Sequence, residues 1–297
     1  MNINTKDCTY IGAFITMECP LRCKYCINEF RTDRQSYPLR EWQKWVNALN
    51  KIAAREDLPI TLQGGEPTYY PEFYELVEGV NKPMDLLTNL QFNIHEFKKR
   101  VSPDKFKRNA PYPSIRVSYH PGQMMFSETI LKIVDLQDAG YQIGVYLVEH
   151  PSIEKEQIIQ WREYAENYHV DFRIKQFLGE WKDTLYGTYK YPAGLSRINR
   201  NAECTSSELI IAPNGDVKWC HGDLYEGEQD NKGNIFDESF NYEITSHRCN
   251  HFGKCSPCDV KLKTNRFQQY GYCATKINMY DATNIEAQRN PRGCKFC

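Results

Sequence analysis

"IGAFITMECPLRCKYC", residues 11–26, joins two signals that together decide how the chain is read. Ile11–Thr16 is an apolar, β-prone run of strand length. It leads directly into Cys19, Cys23 and Cys26, with three and then two residues between them. Three thiolates are one short of a closed four-ligand site, and a metal centre that keeps one position open is the reactive kind. Soft thiolates suit iron–sulfur clusters or zinc. A loop that leaves the end of a strand is also where α/β folds carry their chemistry.

Outward from this stretch, strands and helices alternate. Residues 39–54 place Trp42, Trp45, Val46, Leu49 and Ile52 at helical spacing. Strands are predicted at 59–63, 84–89, 114–120, 141–150 and 170–178, with helices at 71–80, 93–101, 127–140 and 152–168. Ser127 is read as an N-cap and Gly140 as a stop. Six strands separated by five helices predict a parallel sheet, either open and doubly wound or a partial barrel. In both, the site lies at the strands' C-terminal ends. Those ends carry the Cys19 loop, Gly64–Pro67, Asn89, Ser118–His120, Glu149–His150 and Lys175–Gln176.

The composition is that of a soluble globular protein: 41% hydrophobic, 25% charged, net charge −1. No overall field recruits nucleic acid or an anionic membrane. The N-terminus lacks an export signal and no apolar run is long enough to span a bilayer, so a cytoplasmic location is expected. The basic residues Lys98, Lys99, Arg100, Lys105, Lys107 and Arg108 read as a solvated face. Tyr69 and Tyr70, beside a proline turn, read as packing residues.

The 12 cysteines are the anomaly. Without an export signal, clustered cysteines point to metal rather than disulfides. Cys8, Cys19, Cys23 and Cys26 lie near the start, and residues 27–203 contain none. Cys204, Cys220, Cys249, Cys255, Cys258, Cys273, Cys294 and Cys297 fill the last third. Residues 179–203 look like a linker. A hairpin is then predicted from Ser207–Ala212, a Pro213–Gly215 turn and Asp216–Cys220. Little apolar periodicity follows it, so bound metal is expected to supply stability there.

CPLRCKYC resembles the CxxxCxxC motif of the radical S-adenosylmethionine (SAM) enzymes, with Tyr25 before the third cysteine as in many members. GGEP, residues 64–67, resembles that family's second signature at the end of the second strand. The resemblance implies a partial (β/α)6 TIM-like barrel of parallel strands over residues 1–195. A small cysteine-rich SPASM/twitch-like domain, opening with the hairpin, would occupy residues 196–297. It implies a [4Fe-4S] cluster on Cys19, Cys23 and Cys26 whose fourth iron binds SAM. By the same resemblance Tyr25, Gly64, Gly65, Glu66, Pro67 and Ser118 contact the cofactor, with Glu66 accepting from the SAM ammonium. Lys175 or Arg173 would hold the SAM carboxylate, and His120 stands where many members carry an acidic residue. The implied chemistry is reductive cleavage of SAM to a 5′-deoxyadenosyl radical that abstracts hydrogen from a substrate.

Cys204, Gly215 and Cys220 resemble the opening motif of SPASM and twitch domains, and Cys255 with Cys258 resembles a later CxxC. These four would close one auxiliary [4Fe-4S] cluster. All eight late cysteines would suffice for two, while one cluster plus zinc or free thiols stays open. The barrel begins close to Met1, which leaves no room for a preceding peptide-recognition domain. A small polar sugar- or alcohol-type substrate is therefore expected. It would be oxidised with an auxiliary cluster as electron acceptor and His120, Glu149 or Lys175 as base. The alternatives are a peptide- or protein-modifying maturase and, from other classes, RNA modification or a non-catalytic metal-binding protein. A reductant such as flavodoxin or ferredoxin is the expected protein partner.

Overall fold

The structure, a computed structural model, describes residues 2–26, 28, 41–55, 58–177, 179–187, 200–226, 231–252 and 275–279. Six strands form where the sequence predicts them: β1 (Tyr10–Thr16), β2 (Ile60–Gly64), β3 (Met84–Thr88), β4 (Ile115–Tyr119), β5 (Ile143–Glu149) and β6 (Phe172–Gln176). The connections carry α1 (Trp42–Lys51), α2 (Phe73–Gly79), α3 (Ile94–Arg100), α4 (Phe126–Asp138) and α5 (Lys155–Asn167). Each strand pairs in parallel with the next in chain order. A doubly wound sheet reverses its strand order part-way. This one does not, so the barrel-type alternative is the one adopted.

The register explains why one face of this sheet is oily and the other polar. Ile11 pairs with Ile60, Ile60 with Met84, Leu86 with Ile115, Ile115 with Ile143, and Val145 with Phe172. Paired residues share a face, and successive residues alternate faces. This apolar set packs with Trp45, Leu49, Phe73, Phe97, Ile130, Ile133 and Leu136 of the helices in the main core. The opposite set runs Gly12, Thr61, Asp85, then Leu87 with Arg116, Ser118 with Tyr146, Tyr146 with Arg173, and Val148 with Lys175. It lines the concave side of the sheet. A smaller apolar cluster of Phe14, Met17, Ile210, Ala212 and Leu224 covers one end of that face.

Several elements differ from expectation. α1 stops at Lys51, and Ile52–Ala53 pairs in parallel with Ile3–Asn4 instead of continuing the helix. Ser127 is not a cap: α4 starts at Phe126, whose ring packs 4.9 Å from Tyr119 and 5.7 Å from Trp161. Tertiary aromatic packing therefore sets this helix start, while Gly140 ends it with φ +94 as predicted. The linker region carries a hairpin, β7 (Gly179–Trp181) and β8 (Thr184–Tyr186), turning on the positive φ of Lys182 and Asp183. It also carries most of β9 (Arg200–Ser206). The basic run is largely consumed by pairing. Lys98 bonds Asp135, Arg100 bonds Glu75, Lys105 donates to the carbonyls of Glu78 and Val80, and Arg108 pairs with Asp85.

The later hairpin forms as predicted from β10 (Glu208–Ile211) and β11 (Val217–Lys218), with Gly215 in the turn at φ +85. The sequence gives no sign of its placement. β10 pairs in parallel with β1, so the large sheet reads β11-β10-β1-β2-β3-β4-β5-β6. A strand from the second expected domain is thus built into the sheet of the first. α6 (His221–Glu226) follows the hairpin. β9 sits at the centre of a three-stranded antiparallel sheet with β12 (Ser246–Phe252) and β13 (Thr275–Met279). No helix among the described residues is long and apolar enough to cross a membrane.

One buried ionic group braces the floor of the polar face. Asp85, 1% exposed, pairs with both Arg108 and Arg116, and Arg116 Nη2 is 3.0 Å away. Removing one member of such a group leaves the others charged and desolvated. Asp85→Ala is therefore expected to cost about 3–5 kcal/mol of folding stability. Denaturant titration checks this, and a loss below about 1 kcal/mol would show that the arginines find solvent instead.

Candidate active site

The cysteine loop and GGEP are built against each other. Gly65 N–H donates to Thr16 O at 3.0 Å and Glu66 N–H to Glu18 O at 2.7 Å. A Cβ on Gly64 would lie 1.9 Å from Thr16 O, and one on Gly65 would lie 2.2 Å from Glu18 O. Gly64 also has φ +145. The glycines are thus required for close approach to the end of β1. Pro67 is buried at the start of a short 3-10 turn, Pro67–Tyr69, where its fixed φ fits.

Glu66 is enclosed, at 0% exposure. Its Oε1 accepts from Thr68 N (3.2 Å), Thr68 Oγ1 (2.7 Å) and Thr88 Oγ1 (2.8 Å), and its Oε2 from Asn89 N (2.6 Å). Burial pushes its carboxyl above the usual carboxylate range against these four donors. Asn89 Nδ2 in turn donates to Cys19 Sγ at 3.4 Å. Glu66 therefore ties GGEP to the end of β3 and, through Asn89, to the first cysteine. Its carboxylate accepts from four protein donors.

Cys19, Cys23 and Cys26 line one cavity of about 340 Å³, with Met17, Glu18, Leu21, Arg22, Asn28 and Tyr69. Cys26 N–H donates to Cys23 O at 3.1 Å, which curls the loop. Arg22 Nη1 clamps Cys19 O at 2.8 Å, and Arg22 N–H bonds Gln123 Oε1 at 3.1 Å. Burial raises the Cys19 thiol above its ordinary value, so metal binding there would release a proton. Three soft thiolates around one cavity beside the strand ends fit an iron–sulfur cluster with an open position. Tyr69 joins this cavity and is 44% exposed, whereas Tyr70 is buried packing.

A second cavity, of about 270 Å³, lies in the concave face. Of the residues singled out in the sequence, Ser118, His120 and Lys175 line it; Tyr10, Gln63, Arg116, Tyr146 and His221 were not foreseen. Their signal was the alternation of polar side chains within otherwise apolar strands, as in Arg116-Val117-Ser118 and Arg173-Ile174-Lys175. Tyr25, from the cysteine loop, reaches this cavity's wall: its hydroxyl meets His120 Nδ1 at 3.1 Å, and its ring stacks 5.3 Å from His150. His150 also packs 4.6 Å from both Phe177 and Trp181. Burial lowers His120 to about 4, so it is a neutral imidazole at pH 7. Burial, then the charges of Arg116 and Arg173, lowers Lys175 to about 8.

Two expected site residues lie elsewhere. Glu149 is exposed at the end of β5 and lines neither cavity. Arg173 is bidentate to Asp171 at 2.8–3.0 Å and donates to Pro111 O at 2.7 Å. Both partners precede strands, so Arg173 is held at the far end from the cysteine loop.

Three of the late cysteines are described. Cys204 on β9 pairs with His247, and Cys249 on the same strand as His247 pairs with Ala202. That antiparallel register puts Cys204 and Cys249 diagonally on one face. Trp219, which precedes Cys220, stacks 4.1 Å from His247, and Asp223 N–H donates to Cys220 Sγ at 3.4 Å. Cys255, Cys258, Cys273, Cys294 and Cys297 lie outside the described residues.

The family model of the Radical SAM superfamily matches residues 14–142, which run from the end of β1 through the cysteine loop and GGEP to just beyond α4. Residues 14–142 thus match a radical SAM domain. Such a domain works with a [4Fe-4S] cluster and SAM. PqqA peptide cyclase of Methylorubrum extorquens (strain PA1) is 42% identical over 64 residues, 22% of this chain and 16% of that protein. The enzyme of the same name from Bradyrhizobium diazoefficiens is 38% identical over 78 residues, 26% and 20%. The match therefore spans a fifth or less of these relatives' length. Among solved structures, anSMEcpe with bound AdoMet aligns with TM-score 0.53 and 15% identity, covering 80% of this chain and 79% of that one. SuiB of Streptococcus suis bound to precursor peptide SuiA aligns with TM-score 0.52 and 14% identity, covering 80% and 63%. At these identities the structural likeness speaks for the fold alone, and it extends past the radical SAM domain into the C-terminal region.

Two expectations follow from this geometry. In Glu66→Gln an amide N–H would have to replace an acceptor that faces protein donors, at a cost of about 1–3 kcal/mol. Thermal unfolding should show that loss, and an unchanged midpoint would mean that the carboxylate is not the tie. Lys175, 13C-methylated and followed by NMR, should titrate near pH 8, with its charge lost above that pH. Because the Arg116 charge helps lower it, Arg116→Gln should move that titration upward.

Proposed function

We propose that this chain is a radical SAM enzyme that modifies a peptide. The observation that carries the reading is the cavity lined by three thiols at the strand ends, connected through Tyr25 to His120 in the cavity that also holds Ser118 and Lys175. When bound there, the cluster and SAM supply a 5′-deoxyadenosyl radical able to abstract hydrogen. The chain's own part is positioning and exclusion of water. Cys19, Cys23 and Cys26 hold the cluster, and Asn89 orients Cys19. Tyr25 packs against His120 and His150, and burial keeps His120 neutral. Ser118, in the same cavity as His120, is left to contact SAM. Cys204, Cys220 and Cys249, with the five further cysteines, are assigned to one or two auxiliary [4Fe-4S] clusters, and a flavodoxin or ferredoxin to the supply of electrons.

The relatives' names support a peptide over the small polar substrate expected from the sequence. The matched curated proteins are peptide cyclases, and SuiB was solved with a precursor peptide. Reconstituted anaerobically with a strong reductant, the chain should cleave SAM to 5′-deoxyadenosine and methionine, and Cys23→Ala should not. Offered a deuterated peptide library alongside deuterated sugars and alcohols, it should move deuterium from a peptide into 5′-deoxyadenosine. Transfer from a sugar or alcohol alone would return the assignment to the small-substrate reading.

A further inference from the structure

We infer that Asn89 sets the reduction potential of the cluster on Cys19, Cys23 and Cys26 by donating its side-chain amide to the Cys19 sulfur. The inference rests on the radical SAM reading above and adds to it a positioning residue that acts through a ligand. Asn89 follows β3 and is 4% exposed. Its Nδ2 lies 3.4 Å from Cys19 Sγ. The other end of the amide fixes its sense. Oδ1 accepts from Gln91 N–H at 3.1 Å, and a flipped amide would set two N–H groups against each other. The donor therefore faces the sulfur.

The backbone is bent to hold this arrangement. Leu90, fully buried, has φ +59, a left-handed conformation that such a side chain seldom adopts. Its N–H is taken by Thr88 Oγ1 at 2.9 Å, and the Asn89 N–H by Glu66 Oε2 at 2.6 Å. With the Gln91 bond, three side-chain acceptors hold a strained turn in place. Strain of this kind persists where the surroundings over-determine it, and it clusters at functional positions.

The electrostatic consequence follows from what a cluster does. It takes up one electron from an external reductant of the flavodoxin or ferredoxin class, with no bond formed or broken, and part of the added negative charge falls on the cysteine sulfurs. A hydrogen bond to such a sulfur is stronger in the reduced state and so raises the potential. Burial leaves the amide dipole weakly screened, which enlarges the effect. The Leu21 N–H also bonds the Cys19 sulfur, but that donor belongs to the backbone; Asn89 contributes a side-chain donor that substitution can remove.

The full chain, reconstituted anaerobically without SAM, would be titrated potentiometrically and read by EPR. The signal that Cys23→Ala removes belongs to this cluster. If the wild type shows no such signal, the radical SAM reading itself fails; if the signal is present, its potential decides the role of Asn89. In Asn89→Ser the hydroxyl can still accept from Gln91 N–H, so the turn is kept while the amide is lost. At a fixed potential the reduced-to-oxidised ratio of the cluster should fall about tenfold, or about 59 mV for one electron. A fall of less than about threefold, or a rise, overturns the inference. Wild-type protein labelled with 15N-asparagine gives a reading that needs no variant. The reduced cluster should show a weak 15N hyperfine coupling, and its absence also overturns the inference. Asn28, in the same cavity, donates instead to Gly64 O at 3.3 Å, so the coupling reports Asn89.

Discussion

Everything at the active edge depends on the backbone contact between GGEP and the end of β1. Gly65 and Glu66 hydrogen-bond the carbonyls of Thr16 and Glu18, at a separation that leaves no space for a Cβ on either glycine. This contact fixes where the chain leaves β1 and hence where Cys19 begins the loop. It also fixes Glu66, whose carboxylate reaches Thr88 and Asn89 at the end of β3. From Asn89 the chain of contacts returns to Cys19 Sγ. Three strand ends and the first thiol are thereby set by one closed circuit of short polar contacts, most of it shielded from water. Hydrogen bonds in such surroundings hold geometry well because breaking one exposes no solvent to replace it.

The second constraint is the parity of the sheet. With side chains alternating faces, the same strands supply an apolar layer under the helices and a polar layer on the concave side. The polar layer has a gradient along its length. Near the strands' beginnings, Asp85, Arg108, Arg116 and the Arg173–Asp171 pair are locked in ion pairs. Towards the other end, Ser118, His120, Tyr146 and Lys175 surround open volume. The floor is structural and the upper part chemical, and Arg116 spans the two. Tyr25 then joins this interior to the cysteine loop by one hydrogen bond and one ring stack.

The C-terminal region is connected to this machinery through the sheet. β10 extends it beyond β1, and Tyr242 on the chain that follows donates its hydroxyl to Glu208 O at 2.9 Å. The three-stranded sheet that carries Cys204 and Cys249 begins immediately before β10. Metal bound by the late cysteines would thus be tied covalently and by hydrogen bonds to the strand that starts the radical SAM domain.

The sequence by itself determined the order and kind of the six strands and five helices, because hydrophobic periodicity is a local property of the chain. It also determined the three-cysteine loop, the GGEP turn and the Gly215 hairpin, because thiol spacing and glycine's freedom at positive φ are local too. Ser118, His120 and Lys175 were legible from their places at strand ends. What only the tertiary structure decided is which side chains meet. Arg173 and Lys175 lie two residues apart on one face, yet one is spent on Asp171 and the other lines the cavity. Glu149 and Glu66 are both carboxylates at strand ends, yet one is exposed and the other carries four hydrogen bonds at zero exposure. Tyr146 reads as one aromatic among many until the neighbouring strands close around its hydroxyl. Parallel pairing brings together residues tens of positions apart, and no local pattern encodes the identity of those partners.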